Sequence, residues 1–526
     1  MAVVVTDTRT TITNAENTTG WTGSGGTSNT VVMEGTNSVV STFNITTGQV
    51  YFTTTARNVS NTLIYIWSNN FAQQGSWLDA NPAHAMHLGD GTDRVSFKMA
   101  GGDRKTFTHL EVAPDWDCLV LDGSQASTMN TNGLTVARAG SFANLNLAAI
   151  TQFGSDFTTQ SKGLGGGINV AVDIIRIGND GLVVTGGTTG DRGNFLEVST
   201  EDGSTAANKA HGVIRELITG VYGLQGPLTF GAATGNSWFE DSGIVIAFEN
   251  RNISNDKYYL KVQGGTGETH FILRNSTITT AGPFARLEFN TNSVNTFTFT
   301  GNTVTEISST VQFGTDTAAQ SHVVTGNAFQ GCGRISPGVV EFRNNTISNS
   351  TDTGGAMLLT DTTQMSGITF QSGGTGHAIL ITSPGTYVLS NFIFTGYGAD
   401  GTTNAAIYNN SGGSVTLQVS GGSGISVTNG TGATTTVQNT QTFSVTGLVA
   451  GSEVRVYRKS DGVELAGVES SGTTFSFQYN YTGDVDVDVY IHNIQYVWLG
   501  ISSTLTSNGV TIPVQQRFDR NYSNPV

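Results

Sequence analysis

The side chains with most scope for chemistry are carboxylates. Glu240 adjoins Asp241, Glu249 precedes Asp256, and Glu306 and Glu341 stand alone. Glycoside hydrolysis needs two carboxylates across the scissile bond, about 5–10 Å apart. A polysaccharide lyase needs a base and a cation, often with Ca²⁺. Glu249 follows Phe248 and Glu341 precedes Phe342, and each phenylalanine opens a copy of a repeat described below. That offset sets the two carboxylates on different strand faces. Glycan grooves also need aromatic platforms, and Trp238 is the only tryptophan between residue 200 and the C-terminal region. No matched pair emerges, so the expectation is no catalytic residue and no enzyme.

Metal sites fare no better. Asp484, Asp486 and Asp488 alternate with Val485, Val487 and Val489, which puts three carboxylates on one strand face. A straight strand spaces them too widely for Ca²⁺, which draws its oxygen ligands from curved loops. A solvated sandwich face is expected instead. Asp90-Gly91-Thr92-Asp93 reads first as a turn and second as a Ca²⁺ site. His84 and His87 are three apart, but Pro82 and the strand-like Met86-His87-Leu88 do not support a metal-binding helix. They are expected at the surface or an interface. Cys118 and Cys332 are too few for a disulfide framework, and each is expected as a small buried apolar residue. No metal or cofactor is expected. No triad can be read without a nucleophile motif, and the many Asn-x-Ser/Thr triplets follow from composition alone.

The elements that must hold these residues are β-strands. Charged residues make up 12% of the chain, against roughly 25% in ordinary globular proteins. Glycine contributes 68 of 526 residues, and proline only 8. Thr, Ser, Asn and Gly with interspersed Val, Ile and Phe suit many short strands joined by tight turns. The net charge of −15 and a pI near 4.9 argue against nucleic acid, since the longest basic cluster is Arg455-Val456-Tyr457-Arg458-Lys459. No apolar run of about 20 residues is present to span a membrane. Met1 to Asp7 has neither a basic region nor a long apolar one, so no signal peptide is expected.

An internal repeat supplies the architecture. Its pattern is apolar, two variable residues, Asn, one residue, apolar. It occurs as Phe299 to Val304, Val324 to Phe329, Phe342 to Ile347 and Val388 to Ile393. Degenerate copies run Phe248 to Ile253, Leu273 to Ile278 and Thr363 to Ile368. The closing residues are 18 to 26 apart, a length suited to one coil of a parallel β-helix with three short strands. A coil cannot bury its own inner face, so coils must stack. Val304, Phe329, Ile347 and Ile393 are expected to point inward. Asn302, Asn327, Asn345 and Asn391 are expected to form a turn ladder, because Asn tolerates left-handed backbone and its amide can bond its counterpart one coil on.

The chain therefore reads as all-β: a right-handed parallel β-helix flanked by two sandwiches. Residues 1–126 carry long alternating strands, such as Gln49 to Arg57, Thr62 to Trp67 and Arg94 to Met99, and suggest a jelly-roll-like β-sandwich. Residues 127–438 form the β-helix. Its first coils, to about residue 245, are distorted, and a short helix is expected near Ala206 to Ala210. Residues 439–526, with the Asp461-Gly462 hairpin signal, suggest an Ig-like β-sandwich and an extended tail.

Several segments resemble a group of tailed-bacteriophage virion structural proteins. They are Trp116 to Asp122, Gly212 to Glu216, Gly223 to Gly231, Gly447 to Tyr457, Gly467 to Gly472 and Pro513 to Tyr522. The resemblance spans most of the chain and brings no catalytic residues with it. It implies a non-enzymatic structural component of the virion, either a head decoration or a fibre or spike, made in the host cytoplasm. The alternative is a tailspike that binds or cleaves host surface polysaccharide. The expected partners are other virion proteins and further copies of the chain in a homotrimer, with a possible host surface glycan. The tail residues Arg517, Phe518, Arg520 and Tyr522 are candidates for the contact with a neighbour.

Overall fold

A computed structural model of the protein describes residues 3–522 apart from 24–25, 29–36, 44–46, 70–83, 100–115, 127–133, 137–143, 159–167, 201–212, 250–252, 254–255, 281–283, 291–292, 315–320, 399–401, 482–483 and 507. The chain divides into two compact units, Met1–Met357 and Leu358–Val526. The helix expected near Ala206 lies outside the described residues. The α-helix that is seen is the six-residue Phe195–Thr200.

The first unit opens with a β-sandwich. One sheet runs Trp116–Asp122, Leu63–Asn69, Ile168–Ile177, Ser38–Phe43, Gly26–Ser28. The other runs Leu134–Val136, Arg94–Met99, His84–Gly89, Ile150–Thr158, Thr47–Arg57, Trp21–Thr22. Alternate residues meet between the sheets: Val50, Ile64, Ile66, Leu88, Phe97, Leu121, Phe153 and Ile175 form one buried cluster. The sandwich therefore takes in three strands beyond residue 126, where its end was expected: Leu134–Val136, Ile150–Thr158 and Ile168–Ile177. Residues 171–176 of the central strand Ile168–Ile177 are buried on both faces, and seven of its ten residues are apolar, so its sequence is equally that of a buried coil strand.

Coils begin at Leu182–Gly186, whose free side is covered by the antiparallel strand Val3–Asp7. In this unit each following coil gives two strands to a large, mainly parallel sheet and one to a second. One coil comprises Tyr259–Gln263, Thr269–Arg274 and Thr277–Thr280; the next comprises Arg286–Asn290, Thr296–Thr300 and Thr303–Thr305. Ile246, Ile278, Val304, Phe329 and Ile347 share one register and are at most 1% exposed. Ile253 is buried too, but it lies outside the strand Val245–Phe248, where Ile246 is the inward residue. Phe239, Phe271 and Phe297 stack coil on coil at centroid spacings of 5.4 and 5.8 Å. In-register stacking lets one side-chain shape fill successive layers without voids.

The asparagines of this unit form the expected ladder. The Asn302 backbone N–H donates to Asn327 Oδ1 at 2.8 Å, and the Asn327 N–H donates to Asn345 Oδ1 at 2.9 Å. Their amide nitrogens donate to the carbonyls of Leu273, Phe299 and Val324 at 3.0, 2.9 and 2.8 Å. Ser276 begins the row, donating its N–H to Asn302 Oδ1 at 2.9 Å. All three asparagines are buried, so these bonds replace water outright. The left-handed turn belongs to the residue before each one: Gly301 at φ 68°, Gly326 at 67° and Asn344 at 53°.

That distinction corrects the expectation for Asn391. In the second unit Asn391 has φ 56° and Gly367 φ 67°, so Asn391 holds the turn position and not the ladder position. Phe392 follows it and is buried, as Ile368 is after Gly367. Two apolar residues thus stand where the first unit has Asn. The coil register is kept, but the asparagine of the sequence motif stands one residue early, so Ile393 is 41% exposed while Phe394, level with Phe370, points inward at 5%. The inward orientation expected for Ile393 is therefore wrong, because an alignment one residue early turns a strand over.

The second unit ends in another β-sandwich. Glu464–Val468, Glu453–Arg458, Val485–Asn493 and Tyr496–Leu505 form one sheet, and Thr434–Thr446, Thr474–Tyr481 and Val510–Pro513 face it. Phe443, Val445, Val454, Val456, Val487, Val489 and Ile491 fill the space between. Thr434–Thr446 is a shared strand. Its residues 434–440 pair parallel with the coil strand Ser414–Ser420, and its residues 439–446 pair antiparallel with Thr474–Tyr481. The boundary expected at residue 438 falls inside it. The tail folds back on its own sandwich: Gln516 Oε1 accepts from the Val449 N–H at 2.7 Å, and the Val497 N–H donates to Arg517 O at 2.9 Å.

Candidate functional site

Pairing of Ser237–Ser242 with Thr269–Arg274 brings the strongest cluster of polar and aromatic groups to the outward side of two coils. Trp238 lies over His270 at a centroid spacing of 3.5 Å, and the Arg192 guanidinium lies 5.9 Å from the Trp238 ring centre. Two residues on, Glu240 accepts from both Arg274 and Arg192. Burial pushes the Glu240 carboxyl up, but the hydrogen bonds from Arg274 and Arg192 outweigh it and hold it below the usual range. Burial also pushes the His270 imidazole down. Beside this cluster is a polar hollow of about 540 Å³, lined by Asn236, Glu268, Ser293 and Asn295 with the turn Gly265-Thr266-Gly267.

Asp241 is adjacent to Glu240 in sequence but belongs to the other strand face. It accepts from the Phe195 N–H and the Ser242 N–H, both at 2.8 Å, and burial pushes its carboxyl up. Strand alternation thus separates these two carboxylates instead of pairing them across a substrate. One face of Trp238 is closed by His270, and the Arg192 guanidinium also lies near the ring.

The remaining carboxylates are dispersed. Glu249 follows Val245–Phe248 and accepts from Gln225 Nε2 at 2.7 Å, whereas Glu341 begins Glu341–Arg343, a strand of a different sheet, and pairs with Arg343 at 3.4 Å. Asp256 sits in a turn whose carbonyl accepts from Arg286. Glu306 occupies a left-handed turn at φ 60° and is exposed.

The candidate metal residues have structural partners as well. The Asp90 carboxylate accepts backbone N–H groups from Asn146 at 2.9 Å and from Thr92 and Asp93 at 2.8 Å each. The Asn146 bond is the largest cause holding its pKa below the usual value. Asp486 and Asp488 accept hydroxyls of Thr504 at 2.7 Å and Ser502 at 2.6 Å across the strand pair. Among the described residues, no group of three or more His, Cys, Asp or Glu is placed to hold a metal ion.

His87, expected at the surface or an interface, is fully buried within the chain on the strand His84–Gly89 and stacks on Tyr51 at 4.8 Å. Alternation places it on the face opposite Met86 and Leu88, which join the core cluster, and level with Gly154 and Tyr51 of its own sheet, so the Tyr51 ring covers it from outside. Cys332 is buried and free, and burial pushes its thiol up to about 12. Sequence reasoning missed Arg192 and His270, which only the coil register brings to Trp238 and Glu240. No protein-family model matches the chain, and no curated protein shows significant similarity to it.

Proposed function

We propose that the chain is a non-enzymatic structural component of a tailed-phage virion, a head decoration or part of a fibre or spike, that provides a rigid scaffold at the particle surface. The single observation that carries this reading is the buried Asn302–Asn327–Asn345 ladder, whose bonds run from coil to coil. The buried asparagines of the β-helix are committed to holding layers together, and a body so tied opens locally only at high free energy. The carboxylates are committed in the same way: Glu240 to two arginines, Asp241 to two backbone N–H groups, Glu341 to Arg343. The particle itself is inferred from the sequence resemblance. Other virion proteins and further copies of the chain, as a homotrimer, are the partners in this reading. The charge of −15 favours mutual solubility of many copies over contact with nucleic acid.

Counting copies of the chain in purified particles and locating them by immunogold labelling tests the proposal. Tens to hundreds of copies on the head fit a decoration, and a few at the tail fit a fibre or spike. Absence from purified particles overturns the reading. A second reading is a tailspike that binds or cleaves host polysaccharide, and it is favoured by the outward Trp238 and His270 beside the polar hollow. Release of reducing ends or unsaturated uronate from host polysaccharide, lost in Glu240→Gln, would establish it.

A further inference from the structure

The outer face of the sheet Glu453–Arg458, Val485–Asn493, Tyr496–Leu505 carries aromatic side chains that the scaffold does not need. Register places Tyr457 beside Asp488 and Tyr490 opposite Gly500. Trp498 is 65% exposed and Tyr490 40% exposed. Alternation sends Val487, Val489 and Ile491 into the core and leaves Asp486, Asp488, Tyr490 and His492 outside. Ring spacings are 5.9 Å for Tyr457–Tyr490, 6.2 Å for Tyr490–Trp498 and 5.8 Å for His492–Trp498, with interplanar angles of 63°, 59° and 62°. The rings touch by edges, so they do not close their faces against one another as Trp238 and His270 do. Gly500 adds no side chain to this surface.

We propose that this face binds a neutral oligosaccharide. A pyranose presents C–H groups on its flat side, which suit an open aromatic face, and a rim of hydroxyls that need donors and acceptors close by. The sheet supplies both. The aromatic row continues directly into hydrogen-bonding pairs, Ser502 to Asp488 and Thr504 to Asp486. The core of a protein interface is depleted of charged residues, whereas here Asp488 lies directly beside Tyr457. Charge selects the kind of glycan: Arg455, opposite Tyr490, is tied to Glu453 and Glu464, and from Glu453 to Leu505 the chain has seven carboxylates and three basic residues, so a uronate or other polyanion is disfavoured. The site lies beyond the scaffold role and fails or stands independently of it.

Native affinity electrophoresis of the full chain in gels containing soluble glucan, mannan or galactan tests the proposal, with polygalacturonate as the acidic control. At least one neutral polymer should retard the wild-type protein, and polygalacturonate should not. Trp498→Ala and Tyr490→Ala should each weaken retardation about tenfold, while Phe518→Ala, on an exposed ring of the tail, should not. Both sites are exposed, so circular dichroism should show an unchanged fold. Retardation by none of the neutral polymers, or retardation that survives Trp498→Ala, overturns the proposal. So does concentration-dependent self-association abolished by Trp498→Ala, which would make a second copy the occupant.

Discussion

Lys257 Nζ lies 2.6 Å from Asp122 Oδ1, with the two side chains 3% and 0% exposed. Asp122 ends a strand of the first sandwich and also accepts from the Ser124 N–H at 2.9 Å, while Lys257 enters the coil strand Tyr259–Gln263. Breaking such a pair leaves a buried charge without its counterion. Lys257→Met should destabilise the first unit by about 3–5 kcal/mol, measured by urea denaturation. Adding Asp122→Asn should recover part of that loss.

The ladder makes a sharper prediction, because two asparagines of one motif have different duties. Asn327→Ala removes the acceptor of the Asn302 N–H and the donors to Phe299 O and Asn345 Oδ1, and should cost about 2–4 kcal/mol. Asn391→Gly should be near neutral, since glycine adopts φ 56° freely, and Asn391→Val should be strongly destabilising. Thermal denaturation of the three variants checks the order.

Register in the second unit can be tested with one charge at neighbouring positions. Ile393→Asp should give soluble protein of nearly unchanged stability, and Phe394→Asp should aggregate or unfold, because only the second buries an unpaired carboxylate. Ile347→Asp in the first unit should behave like Phe394→Asp. Solubility after expression and melting temperature are the readouts.

Glu240 predicts a pH dependence. Its folded-state pKa is lowered, so its ion pairs stabilise above the unfolded glutamate value of about 4.3 and lose their effect as pH falls through the lower folded value. The side chain is 34% exposed, which limits the contribution to about 1 kcal/mol. Glu240→Gln should therefore be slightly less stable at pH 7 and converge with wild type in acid, when both are titrated by chemical denaturation.

The coil architecture was legible because Asn302, Asn327 and Asn345 each stand two residues before an inward apolar residue. That reading failed where Ile368 and Phe392 replace Asn. There the nearby Asn391 imitates the motif one residue early, and Val388 supplies an apolar residue to match. Only the left-handed φ of Asn391 exposes the slip. The first boundary was obscured by Ile168–Ile177, whose burial on both faces erases the alternation of a sandwich strand. The aromatic face was hidden for another reason. Tyr457, Tyr490 and Trp498 sit on three strands, and their proximity depends on pairings that no local pattern encodes.

The shared strand Thr434–Thr446 has a mechanical consequence. The last coil and the C-terminal sandwich are joined by continuous β-structure, with no linker between them. A pull on the sandwich loads the ladder to Ser414–Ser420 and the ladder to Thr474–Tyr481 through one backbone. Its middle residues, Asn439 and Thr440, belong to both ladders, so bending at that point must break pairs on both sides at once. The joint behaves as a stiff lever and not as a hinge, and it delivers whatever the outer sheet face grips to the coils as torque.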